Sequence, residues 1–398
     1  MKRIIISLLI ALTLALSTLS SLPCLAEAAP DIELSRSQAA KPAEYLESYF
    51  GIAPFGEAFD LSDFNAALEA RGQEPAANDT PEAIAMAAVK LAGMDEPAQT
   101  YDGEEAYVAC AHDLGLIKNP DRLDGESAAS LLYDALSIAG KTRRCIGRVS
   151  DRDILQKLDA AMSAMTIFAD DRLDVLGAQI VLREATTGYS LKYSGYDARF
   201  LEDYTLRYGH DDLRHMLQLV ALLNGKGIDA WIQVEPKVSV YKYLLDWGEP
   251  SDPTPTYAVR EVAESRYLCF SMEYDVALEF DSLDDKEDFH GIIETYAKKY
   301  DDSFDADGNL IDRLIVGSWW QPLYYSTTEL QNKAFEMLYD NIVYDKDGLY
   351  YINSFSLPEN TRAIEEVVKD VTPELVVSHV PIYVNPAFMR YIRNEDHQ

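Results

Sequence analysis

The chain is poor in the residues that staple, ligate or catalyse. Four cysteines among 398 residues exclude a disulfide-rich scaffold, and one of them, Cys24, falls in the amino-terminal leader-like region. The other three, Cys110, Cys145 and Cys269, are an odd number that cannot pair completely within one chain; a Cys110–Cys145 bridge is left open. Six histidines give few candidates for imidazole chemistry. Basic residues are scarce too: 35 Lys and Arg stand against 67 Asp and Glu, a formal net charge of −32. A field of that sign repels nucleic acid and anionic lipid and suits a solvated, acidic surface. After the amino-terminal run no apolar stretch approaches the roughly 20 residues of a membrane span. Low-complexity tracts are missing, and 48% of residues are apolar, so two or three domains with packed cores are expected.

What is present begins with MKR followed by IIISLLIALTLAL and small residues. A basic region, an apolar region and a small-residue cleavage site after Ala26 or Ala28 form a secretory signal peptide. Ser21-Leu22-Pro23 before Cys24 places proline at the position that lipoprotein processing reserves for a small residue. The expectation is a bacterial protein that is secreted or held at the cell envelope, with residues 1–28 removed, no integral membrane span afterwards, and residues 29–44 as a linker.

Residues 45–145 read as a helical module. TPEAIAMAAVKLAGM begins with Thr80 as N-cap and Pro81 at the first helical position. EEAYVACAHDLGLI ends near Gly115, and GESAASLLYDALSIAG ends at Gly140. Thr80-Pro81-Glu82-Ala83, the segment Ala109 to Ile117 and the segment Glu126 to Leu136 resemble an S-layer homology module. That resemblance implies attachment to cell-wall polysaccharide. However, the family's wall-gripping Arg is Pro81 here, and its second Thr-Arg is Asp124-Gly125. The pattern is also that of a generic helical bundle.

The central region opens with an amphipathic helix expected over residues 150–171, capped by Ser150 and striped by Ile154, Leu158, Ala161, Met165 and Phe168. The tyrosine-rich stretch from Thr186 to Asp212 reads as a surface loop. An apolar helix follows, ended by Gly227, and then two alternating runs, WIQVEPKVSVY and RYLCFSMEYDVALEF. Leu222-Leu223, Gly227-Ile228-Asp229-Ala230-Trp231 and Val234 resemble the core of the transglutaminase-like, papain-type family. Residues 146–300 are assigned to such a domain on that basis, and 301–398 to a β-rich C-terminal extension with helix. The fold class expected is therefore α+β.

The family's chemistry needs a cysteine thiolate at a helix N-terminus and a histidine on a following strand. The spacing of this sequence puts Asp212 at the cysteine position, and no histidine occurs between residues 216 and 289. The resemblance thus implies a domain without its nucleophile, acting in binding or scaffolding rather than catalysis. Two enzymatic alternatives stay open. One is a displaced triad that brings Cys269 to His290 or His379. The other is a metal-dependent hydrolase built on His210, Asp211 and His215, since Asp211 and His215 stand four apart on one helical face, a spacing that suits Zn2+. Trp231 is a candidate groove residue beside that cluster.

Further along, DADGNLID carries Asp305, Asp307 and Asp312 in a calcium-loop-like order. Ser303 replaces the first EF-hand aspartate and Leu314 the bidentate glutamate, so an acidic solvated turn is the simpler reading and no cofactor is expected beyond a weak Ca2+ or Zn2+ site. Trp319, Trp320 and many of the 25 tyrosines suit stacking against a glycan or peptide, although aromatics more often fill cores.

Overall fold

Alanine-rich segments behind short polar caps make the first part of the fold helical. The computed structural model describes residues 36–103, 105–117, 123–210, 213–299, 315–318, 323–331, 334–393 and 395. Its first helices are α1 (Arg36–Phe50), α2 (Leu61–Glu69), α3 (Pro81–Leu91), α4 (Asp95–Ala98), α5 (Ala106–Asp113) and α6 (Gly125–Ile138). Thr80 caps α3 by accepting from the Ala83 amide at 3.4 Å. Asp124 and Ser127 form a reciprocal capping box on α6. Gly115 and Gly140 close α5 and α6 with φ of +70° and +68°, a conformation glycine adopts without steric cost. Phe64, Leu68, Ile84, Ala88, Leu91, Leu132 and Leu136 bury together in a core of their own. The first helix starts inside the stretch read as a linker. It is held by tertiary contacts: Tyr45 and Leu46 are buried, and the Lys41 ammonium donates to the Phe280 carbonyl.

Beyond the helices the chain alternates strand and helix: β1 (Gly147–Arg148), α7 (Ile154–Ser163), α8 (Asp171–Leu182), β2 (Gly188–Tyr193), β3 (Thr205–His210), α9 (Leu213–Gly225), β4 (Ala230–Tyr243), β5 (Tyr257–Ala263) and β6 (Arg266–Phe280). There follow α10 (Leu283–Tyr296), β7 (Ala297–Lys299), β8 (Ile315–Ser318), β9 (Tyr324–Ser326), β10 (Glu336–Tyr344), β11 (Tyr350–Ser356), α11 (Thr361–Val371), β12 (Val376–Val384) and α12 (Pro386–Ile392). Two local expectations are corrected. The single helix over 150–171 is α7, which stops at Ser163, followed by the start of a second helix at Asp171; the Asp170 carboxylate accepts from the Arg172 and Leu173 amides and so caps α8 instead of continuing α7. The tyrosine-rich "loop" contains two strands, β2 and β3, stabilised by neighbours distant in sequence.

The strands close on themselves. Hydrogen-bonded neighbours run β4-β2-β11-β10-β12-β9-β3-β6, and β6 pairs again with β4, giving an eight-stranded antiparallel barrel. Both helix and strand are thus present in bulk, as an α+β class requires. Segments β1 and β5 flank the barrel on β4 and β6, while β7 and β8 pair in parallel as a separate small sheet. Four barrel strands come from before residue 281 and four, β9 to β12, from after residue 323. Residues 40–398 form one compact unit.

Alternation along each strand assigns its two faces. Leu206, Tyr208, Val234, Val238, Val276, Leu278, Val343 and Ile352 face outward into the main core. They pack beneath Leu176 and Ile180 of α8, Leu219 and Leu223 of α9, Phe289 and Ile293 of α10, and Ile364 and Val368 of α11. Each such side chain, fully buried, contributes about 1.5–3 kcal/mol of transfer free energy. The helical module meets the barrel through Arg143. Its guanidinium lies 2.6 Å from the Glu279 carboxylate and over the rings of Tyr45, Tyr133 and Trp231.

Candidate functional site

The helices cover the apolar face, so the other face of the sheet is the lumen, and it is charged. Residues directly paired across an antiparallel ladder share a face. Lys192 pairs with Lys237 and with Tyr351, Glu235 with Asp275, and Arg207 with Ala277 and Tyr325. Contacts between non-adjacent strands confirm that this face points inward. Lys192 on β2 reaches across β4 to Asp275 on β6 at 2.6 Å. Arg207 on β3 reaches across β6 to Glu235 on β4 at 3.3 Å. Lys237 takes the other Asp275 oxygen at 2.7 Å. Gly209 makes room for this pair: a Cβ there would stand 3.1 Å from Asp275 Oδ1 and 3.5 Å from Lys237 Nζ. At one end the lumen turns apolar, where Tyr325, Leu338, Ile382 and Val384 bury with Phe388 and Met389 of α12.

The electrostatics follow from burial and pairing. Burial alone would push the Asp275 carboxyl up, but Lys192 and Lys237 hold it well below the usual carboxylate range. Burial likewise opposes the charge on Lys192, and Asp275 more than offsets it, so the ammonium is held well above the lysine range. Arg207 is fixed as a cation by Glu202, 2.9 Å away, and by Glu235. Burial raises Glu235 above the usual glutamate value against the pull of Arg207 and Lys192. Asp340 is also raised by burial, opposed by Lys192 and by a 3.2 Å bond from Asn353 Nδ2. Eight strands leave an interior that side chains nearly fill or that holds one small ligand.

The residues singled out from sequence fall elsewhere. His210 ends β3 and His215 lies in the first turn of α9, and the structure does bring them together, ring centroids 4.2 Å apart and nearly perpendicular, with His215 Nδ1 against His210 Nε2. Asp211 and Asp212 lie outside the described residues, as do Asp305, Asp307, Asp312, Trp319 and Trp320. Among the described residues no group of three or more His, Cys, Asp or Glu side chains is placed to hold a metal ion. Trp231 faces the lumen's rim on β4, stacked under Arg143 and Arg148, whose guanidinium carbons lie 5.4 and 4.8 Å from its ring. Cys269 is fully buried, and burial raises its thiol. His379 bonds Asn341 and Glu365, and His290 contacts Tyr324. Cys110 and Cys145 are both free, so the bridge left open between them is not formed.

Sequence reasoning missed the lumen set Lys192, Arg207, Glu235, Lys237, Asp275, Asp340 and Asn353. A signal was there: β4 and β6 alternate apolar residues with charges, Val234-Glu235-Pro236-Lys237-Val238 and Tyr274-Asp275-Val276. Such charges are ordinarily assigned to solvent. Among the described residues no helix is long and apolar enough to cross a membrane. In comparisons with known proteins the chain matches no family model, no curated protein and no solved structure.

Proposed function

We propose that the protein is an exported, non-catalytic binding protein whose barrel lumen takes a small polar ligand. The observation that carries this reading is the inverted barrel. Its apolar face is covered by helices, and its inward face presents ordered charges on Lys192, Arg207, Lys237, Glu235, Asp275 and Asp340. Burying ions is costly unless each is paired, and a purely structural barrel fills more cheaply with apolar side chains. Polar groups held rigidly by a closed sheet are preorganised for recognition. The leader-like sequence before residue 29 supports export, and the transglutaminase-like resemblance supports a non-catalytic role because Asp212 occupies the nucleophile position. The glycan or peptide ligand suggested by the tyrosine content narrows, in such a lumen, to a simple sugar, an amino acid or a peptide end.

The test is isothermal titration of the full chain with monosaccharides, disaccharides, amino acids and dipeptides. One class is expected to bind in a 1:1 ratio. Ser190→Leu, which replaces a small lumen side chain 3.3 Å from Ser239 Oγ, should abolish that binding, whereas Leu244→Ser in the exposed β4–β5 turn should not. A chain that binds none of these compounds, or binds them equally well with Ser190→Leu, would sink the reading.

A further inference from the structure

The cations of the lumen are all committed. Lys192 and Lys237 both serve Asp275, and Arg207 serves Glu202 and Glu235. Asp340 is a buried carboxylate that these three cations leave out: among the described residues it makes no ion pair within 4.0 Å, and its one hydrogen bond is from Asn353 Nδ2. Both side chains are more than nine-tenths buried, at 8% and 3% exposure. Asp340 Oδ1 and Asn353 Oδ1 remain, two buried acceptor atoms without a donor. A buried acceptor left without a donor is destabilising.

The pair cannot repair itself. Flipping the Asn353 amide places its oxygen against an ionised Asp340, which is repulsive. Protonating Asp340 so that it donates to the flipped amide then strands the amide's NH2 group and still leaves one carboxyl oxygen unpaired. A third group is required in either state. For the ionised pair it must bring donors and positive charge. A hydroxyl brings one donor along with an acceptor that needs its own partner, and water brings no charge. An ammonium group brings three donors, no acceptor and one positive charge.

We propose that Asp340 and Asn353 form a subsite for a protonated primary amine, the group that an amino acid or the amino end of a peptide carries. This deepens the lumen-binding reading and rests on it. The subsite lies where the ionic and apolar parts of the lumen meet. Asp340 pairs across the ladder with Phe355, and Leu338, two residues along β10 on the same face, belongs to the apolar end. The ammonium would point toward Asp340 and its aliphatic substituent toward Leu338 and Phe355. Burial raises the Asp340 carboxyl, and a bound cation would oppose that rise.

The experiment titrates the full chain at constant ionic strength with methylammonium chloride, against tetramethylammonium chloride, potassium chloride and glycerol. Saturable 1:1 binding of methylammonium is expected, read from the heat of titration. Tetramethylammonium, which has the charge and no N–H, should bind at least tenfold more weakly, as should methylammonium to Asp340→Asn. The wild-type comparison alone decides the matter if that variant fails to fold. Equal binding of potassium or tetramethylammonium would make the site a simple cation site and overturn the amine assignment, and so would absence of saturable methylammonium binding. A sugar that binds the lumen while no amine does would overturn the subsite and leave the lumen reading standing.

Discussion

Lys192 Nζ lies 2.6 Å from Asp275 Oδ2, and the carboxylate is fully closed off from solvent. With Lys237 on its other oxygen, Asp275 pairs directly with two lumen ammoniums.

Asp275→Asn leaves both ammoniums buried without a full counter-charge. The expected loss is about 3–5 kcal/mol of folding stability, read by urea unfolding at pH 7. The pH dependence has a definite sign. The folded-state carboxyl is held well below its unfolded value, so its contribution is present above about pH 4 and is lost as pH falls from there toward the folded value. The wild type should lose stability on acidification through that range, and the variant should show a shallower decline.

Asp174 on α8 behaves in the opposite way. Burial pushes its carboxyl up to about 6, against Arg260, and Tyr189 donates to it at 3.5 Å. A raised folded value favours the protonated form, so stability falls as pH rises from about 4 to about 6 and is level above. Asp174→Asn removes that penalty. The variant should gain about 1–2 kcal/mol at pH 7 and nothing at pH 4, by urea unfolding at both values.

Arg143 couples the helical module to the barrel. Glu279 is fully buried; it accepts from the Leu201 amide at 2.7 Å, and Lys41 stands 4.0 Å away. Arg143→Met keeps the apolar contact with Tyr45, Tyr133 and Trp231 but removes the nearest cation from the buried carboxylate, leaving Lys41 at 4.0 Å. A cost of about 3–5 kcal/mol is expected. Calorimetry should resolve the single transition into two as the module uncouples; one unchanged transition would show that the ion pair does not join the two parts.

Cysteine reactivity separates the binding reading from thiol chemistry. Iodoacetamide followed by peptide mapping on the native chain should mark exposed Cys145 and leave Cys110 and Cys269 unmodified until urea unfolds them. Fast native labelling of Cys269 would favour the displaced-triad enzyme instead.

Local features were legible in the sequence because their causes are local. Thr80 and Pro81 start α3 and Gly115 ends α5 through contacts within a few residues, and the alternation of WIQVEPKVSVY and RYLCFSMEYDVALEF marks β4 and β6. Strands β2 and β3 were not legible, since Gly188, Ser190 and Gly209 read as turn residues and only pairing with β11, β4 and β6 makes them strands. Nor was the site. Alternation shows that a strand has two unlike faces, but not which one a closed sheet turns inward. Lys192 and Asp275 are 83 residues apart along the chain. Their meeting depends on the closure of β6 against β4 and on helices taking the apolar face, and long-range pairing of that kind is decided by tertiary structure.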